Sequence, residues 1–227
     1  MTTTLTVPRE PQNAAQDAGI KETLDRMIDE QMASLPDLRL LSNAERRDII
    51  ARYTSVLEGN FIYWMTATVM ATKSEEAKPI LLENLHEEVT DAHPVMMRKF
   101  AVAAHAYPDA ADSLAVDEAL TNMRRFLGRL QGVPSLLTMA YFEGFIQKFM
   151  PYLAELAAGL GSTEMEYTDV HGVCDIAHTA GLIQAFEVEK ANHPVGPEVD
   201  LFEGVDLLRA LIDTIVYNRA DAMAAAA

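Results

Sequence analysis

The 227-residue chain carries 34 acidic residues against 18 basic ones, a formal net charge of −16. That balance argues against nucleic acid and anionic membranes as partners. Hydrophobic residues make up 49%, as in a soluble globule, and no apolar run is long enough to span a bilayer. Cys174 is the single cysteine, so a disulfide framework and a thiolate metal cluster are both excluded and a reducing cytoplasm is the expected setting.

The opening segment MTTTLTVPREPQ has no basic stretch ahead of an apolar one. Residues 1–17 therefore read as a flexible polar arm and not as a secretory signal. Strand signals are nearly absent and the apolar period is helical, which predicts an all-α bundle of about seven helices. The first spans 18–34 and ends near Pro36. The second opens at Ser42, with Glu45 completing a capping box, and runs to 71. A third covers 74–91, and a fourth starts at Pro94 and stops before Tyr107-Pro108. The fifth spans 109–130, and the sixth runs from Pro134 to Leu160 with a bend expected at Pro151. The seventh covers 168–190, and a last segment covers 201–219 after the break at Asn192–Pro197. Residues 18–220 read as one domain and 221–227 as a frayed tail.

Chemistry concentrates first in the seventh helix. His171, Asp175 and His178 stand at i, i+4 and i+7, one helical face stacked over two turns. Two imidazoles and a carboxylate on one face make a metal-ligand set. The apolar neighbours Val173, Ile176, Ala177, Leu182 and Ile183 suggest a core helix, in which three such groups are costly unless satisfied. Cys174 is read as pointing away from that face. Glu143 lies in an apolar helix, as does Glu58, the only acidic residue between Asp48 and Glu75. A buried glutamate must be paired, protonated or metal-bound. A fourth stretch holds Glu83, His86, Glu87, Asp91 and His93. Carboxylates and imidazoles from four helices are how bundles build carboxylate-bridged di-iron sites. Hard oxygen and imidazole donors suit iron or manganese better than zinc.

The pattern departs from the ferritin-like arrangement, which repeats Glu-x-x-His, because only Glu83 and His86 read that way. It resembles the haem-oxygenase-like di-iron oxidases and oxygenases. The resemblance rests on Glu58, on His93 placed 35 residues later, on Glu143 and on His171-x-x-x-Asp175-x-x-His178, and covers roughly 42–190. It implies a haem-oxygenase-like bundle that holds two Fe(II) per chain, uses O2 and carries no haem. One iron would take Glu58, His93 and one histidine of the last motif. The other would take Asp175 and the remaining histidine, with Glu143 bridging or nearby. His86 stands as an alternative to His93, and Glu83 or Glu87 as an additional carboxylate.

The resemblance further implies O2-dependent oxidation of a small amino-acid-like or amine-containing metabolite, by N-oxygenation or by cleavage of a C–C or C–N bond. Oxidative decarboxylation of a fatty acid is the runner-up. A metal-free thiaminase-like or scaffold protein of the same fold is the alternative outside oxygen chemistry. Glu58, Glu143 and Tyr141 are the catalytic candidates, with Tyr63 and Tyr167 as further hydrogen-bond donors. Phe61, Trp64, Met65, Phe142, Phe145 and Ile146 are the candidate apolar shell, and Arg98, Lys99 and Lys148 the candidate anchors for a substrate carboxylate. An electron donor and a second copy of the chain are the macromolecular partners this reading allows.

Overall fold

The structure, a computed structural model, describes residues 12–217. The described residues form nine α-helices and one 3-10 turn at Leu38–Leu40, with no strand. The helices are α1 (Gln12–Ala33), α2 (Asn43–Leu57), α3 (Asn60–Ala71), α4 (Lys78–Thr90), α5 (His93–Ala103), α6 (Ala110–Leu127), α7 (Gly132–Gly159), α8 (Glu166–Asn192) and α9 (Glu203–Tyr217). None is long and apolar enough to cross a membrane.

Two expectations change. Residues 1–11 of the expected arm and the whole expected tail lie outside the described residues, and from Gln12 the backbone is already helical. The single helix expected over 42–71 is two, because Gly59 sits at φ +84, in the left-handed region that glycine tolerates and other residues do not. The helix expected over 134–160 is α7, with Pro151 inside it.

α7 is the centre of the bundle. Every residue from Val133 to Ile146 is buried, so this helix has no solvent face over nearly four turns. Burying Phe142, Phe145 or Phe149 contributes about 1.5–3 kcal/mol each. α7 and α8 form the most extensive helix pair and run antiparallel. The register follows from three close approaches: Gly132 to Glu189, Gly144 to Thr179 and Met150 to Gly172. A Cβ on Gly144 would lie 2.9 Å from Ile28 and 3.5 Å from Thr179, so the small residue beside Glu143 lets the helices close at that level.

α8 reverses the usual amphipathic order in its first half. His171, Asp175 and His178 are buried, while Val173 and Ile176 are 73% and 59% exposed. The apolar flanks expected to mark a core helix therefore face outward, and the polar stripe faces α7. From Leu182 onward the order becomes ordinary, with Leu182, Ala185 and Phe186 inside.

Candidate metal centre

Four helices converge on one cluster. α4 contributes Glu87 and Glu88, α5 His93, α7 Glu143, and α8 His171, Asp175 and His178. Ala92, between α4 and α5, has φ +57 and makes the reversal that turns His93 back toward Glu88. His93 Nδ1 and Glu88 Oε1 are 2.8 Å apart, and both residues are buried.

The donors fall into two groups. Ligand atoms of Glu88, His93 and His171 all lie within 4.8 Å of one another, as do those of Cys174, Asp175 and His178. Glu143 stands between them. Its Oε2 is 3.7 Å from His178 Nδ1, and its side chain lines one cavity with Glu88, His93, His171 and Asp175. Asn84 donates to Glu143 Oε1 at 3.0 Å and orients that carboxylate.

Neighbouring groups select the histidine tautomers. His171 Nδ1 is 2.8 Å from the Tyr167 carbonyl. A carbonyl only accepts, so Nδ1 carries the proton and Nε2 keeps a free lone pair, aimed toward Glu88 Oε1 at 3.9 Å. His178 Nε2 is 2.9 Å from Glu87 Oε2, which leaves its Nδ1 facing the interior. Carboxylate or carbonyl support of the outer nitrogen is the arrangement that holds metal-binding imidazoles in place.

Burial and mutual repulsion set the charge states. Burial raises Glu88 above the ordinary carboxylate range despite its bond to His93. Asp175 is pushed up to about 10, first by burial and then by the Glu143 charge. Burial lowers His171 to about 4. Burial pulls His178 down as well, but the Glu143 and Glu87 carboxylates outweigh it and raise it to about 9. Two buried atoms at the centre of this network, Asp175 Oδ2 and His178 Nδ1, have no hydrogen-bond partner. Burial, then the Asp175 and Glu143 charges, hold the Cys174 thiol protonated.

The structure brings His93, Glu143, His171, Asp175 and His178 together, with Glu87 alongside. It does not bring Glu58. At the end of α2, just before the Gly59 break, the Glu58 carboxylate pairs with Arg98 and accepts from the Tyr107 hydroxyl at 3.3 Å. Glu88, which sequence reasoning passed over in its Glu-Glu run, occupies the cluster instead. Its signal was the stripe Leu81, Asn84 and Glu88, the buried positions of α4. Glu83 and His86 are exposed on the outer face of that helix.

Tyr141 lies two residues from Glu143 and so on the other side of α7. Its fully buried hydroxyl has no hydrogen-bond partner and feels Arg209 and Asp213, away from the cluster. Tyr63 is 46% exposed. Tyr167 is the tyrosine at the site. Its ring centroid is 4.3 Å from that of His171, and its hydroxyl meets that of Tyr53 at 2.9 Å.

Of the expected apolar shell, Phe61, Phe142 and Ile146 line the cavity, while the buried Trp64, Met65 and Phe145 do not. The three expected anchors are engaged elsewhere: Arg98 with Glu58, Lys99 with Glu166 and Lys148 with Asp29. Cys174 does not point away. Its thiol donates to Asp175 Oδ1 at 3.2 Å.

A family model described as iron-containing redox enzyme matches residues 50–202, more than half of the chain. The chain belongs to that family. Membership brings the haem-oxygenase-like helical bundle and an iron-dependent redox function, and the matched span holds every residue of the cluster. No curated protein and no solved structure matches the chain.

The cluster fits the iron of its family. It offers carboxylate oxygen and imidazole nitrogen, the donors iron takes. Three buried carboxylates, Glu88, Glu143 and Asp175, line one cavity, and burial with the Glu143 charge keeps Asp175 from ionising there. The two orphaned atoms become lone-pair donors on neighbouring side chains once their protons leave, and a cation then satisfies both at once.

Proposed function

We propose that this chain is an O2-dependent, non-haem di-iron oxidase or oxygenase acting on a small amino-acid-like or amine-containing metabolite. The observation that carries the reading is the pair of donor groups flanking one buried carboxylate. Glu88, His93 and His171 would hold one iron, Asp175 and His178 the other, with Glu143 shared. A ferrous pair supplies, when bound, the electrons that reduce O2.

The side chains do the rest. Tyr167 and Glu87 fix the two outer imidazole nitrogens, and Asn84 fixes Glu143. Leu57, Phe61, Ile62, Met97, Phe142 and Ile146 wall the cavity and exclude water from the reacting groups. The cavity is about 30 Å³, so the part of a substrate that enters it is small. Its polar lining is carboxylate and imidazole with no lysine or arginine, which suits an amine better than a second anion.

One observation favours the fatty-acid reading as a second possibility. A neighbouring cavity, lined by Tyr53, Phe149, Leu211 and Ile215 among others, shares Leu57, Phe142 and Ile146 with the first. Rotation of those three side chains would join the two into an apolar channel.

Anaerobic Fe(II) reconstitution followed by O2 tests the proposal. The expected result is close to two irons per chain, O2 uptake and a transient near-ultraviolet or visible absorption. Iron well below that level with no O2 uptake would sink it. Faster decay of the transient with amino acids or amines supports the first substrate class, and with long-chain fatty acids the second.

A further inference from the structure

We infer that Cys174 is a sulfur ligand of the second metal position, which makes that position a mixed sulfur, oxygen and nitrogen site. The inference rests on the two-metal reading of the same cluster and adds a donor to it.

Helix geometry places the thiol there. At 100° per residue, Cys174 and His178 (i, i+4) project within about 40° of each other. Cys174 therefore flanks the metal-facing stripe on the His178 side while Asp175 flanks it on the other. The distances agree. Cys174 Sγ is 3.2 Å from Asp175 Oδ1, and Asp175 Oδ1 is 3.8 Å from His178 Nδ1. His178 Nδ1 is in turn 3.7 Å from Glu143 Oε2. Donors around a four-coordinate ion of zinc size stand about 3.3–3.8 Å apart, given metal–sulfur bonds of about 2.3 Å and metal–nitrogen bonds of about 2.0 Å. The chain from sulfur to Glu143 already has such spacings.

The thiol is not the only pointer. Asp175 Oδ2 and His178 Nδ1 are buried, lack partners and belong to the same donor group, with Asp175 fully buried and His178 only 8% exposed. An ion seated between them is also within reach of sulfur. The thiol proton leaves to solvent on coordination, as it does for any thiol that binds a metal.

The chemical consequence is selectivity. Carboxylates and imidazoles alone suit iron and manganese, whereas one thiolate shifts preference toward softer or tetrahedral ions such as cobalt, zinc and cadmium. With Cys174, Asp175, His178 and Glu143 all bound, a zinc ion would have four protein ligands and no open position, the closed form of such a site. Zinc or cadmium would then block this position while leaving the Glu88, His93 and His171 position free for iron.

Anaerobic titration of the full chain with Co(II), read by absorption, tests this. The wild-type chain is expected to show visible cobalt bands together with a near-ultraviolet sulfur-to-cobalt band. Cys174→Ser should lose the near-ultraviolet band and keep the visible ones, and its Cd(II) affinity should fall roughly ten- to hundredfold, the range a metal site loses with one supporting contact. Cys174→Ala, with circular dichroism on both variants, guards against misfolding. Loss of about one cobalt per chain in His178→Ala, with no sulfur band in the wild type, overturns the Cys174 assignment and leaves the two-metal reading standing. Cobalt bands and cobalt stoichiometry both unchanged in His178→Ala, or no cobalt uptake, overturn both.

Discussion

The α7–α8 pair buries carboxylates at two levels, and they are handled in opposite ways. At one end Glu189, 2% exposed, accepts from the backbone amides of Lys73 at 3.0 Å and Ser74 at 2.7 Å and so ties the α3–α4 connection to α8. Gly132 makes room for it, since a Cβ there would come within 2.8 Å of Glu189 Oε1 and 2.9 Å of the Ala71 carbonyl. Midway along the pair, Glu143 and Asp175 are just as buried but face each other, and an Asp175 oxygen and a His178 nitrogen stay unpaired. Burial of a carboxylate is thus no mark of function by itself. The mark is burial that the chain's own donors leave unfinished.

The strongest way to break that contrast is Glu143→Gln. It keeps shape and removes charge. Iron affinity is expected to drop roughly a hundredfold or more, since even contacts behind the ligands contribute ten- to hundredfold. In the metal-free protein the variant loses both the repulsion against Asp175 and the attraction to His178, so both groups should shift back toward their ordinary ranges and the fall in apo stability from pH 6 to 9 should flatten. Metal analysis and urea denaturation of the apo form measure the two halves. A variant that loads iron like the wild type would remove Glu143 from the centre.

Glu189→Ala should do the reverse. The buried Ser74 amide and the part-buried Lys73 amide lose their acceptor, at a cost of about 1–3 kcal/mol, while iron per folded chain stays unchanged. If Glu189→Ala unloaded iron without loss of stability, the division between the two levels would be wrong.

pH separates them further. Asp175, raised to about 10, resists ionisation, so its contribution to apo stability worsens as pH climbs from its ordinary 3.8 toward that value. His178, raised to about 9, contributes stability that is whole below its ordinary 6.5 and lost as pH rises through 9. Both signs predict an apo protein that melts lower at pH 9 than at pH 6. Iron must displace the same protons, so its affinity should rise over that window and binding should release protons, measurable by calorimetry in buffers of different ionisation enthalpy. Apo stability that is flat from pH 6 to 9 would contradict it.

The sequence made one of the two levels legible because its clues were periodic. His171, Asp175 and His178 declare a face by spacing alone, and Glu143 stands out as a lone charge in an apolar helix. Glu189 gave no such signal, because its partners are backbone amides, which no side-chain pattern reveals. Glu88 was hidden by composition: beside Glu87 it reads as part of a solvated run, and only the inward stripe of α4 separates them. The helix count missed the break at Gly59 because the apolar period continues across it, while the left-handed φ does not. Cys174 was misjudged by its place in the motif: it lies about 60° from His171 around the helix but only about 40° from His178, four residues on.

The smallest expected effect concerns Glu58, the expected ligand that lies outside the cluster. Glu58 pairs with Arg98 and Tyr107 at the rim, its side chain 20% exposed and that of Arg98 61% exposed. Exposed pairs of this kind contribute about 0–1 kcal/mol, so Glu58→Ala should shift stability within that range and leave iron stoichiometry intact. Glu88→Ala should lose iron from the His93 and His171 position. Glu58 looked like a ligand because a lone carboxylate in an apolar stretch has to go somewhere, and the glycine after it turns it toward a surface arginine. Iron loss in Glu58→Ala with retention in Glu88→Ala would mean that the α2–α3 corner rearranges to deliver Glu58 to the cluster when metal enters.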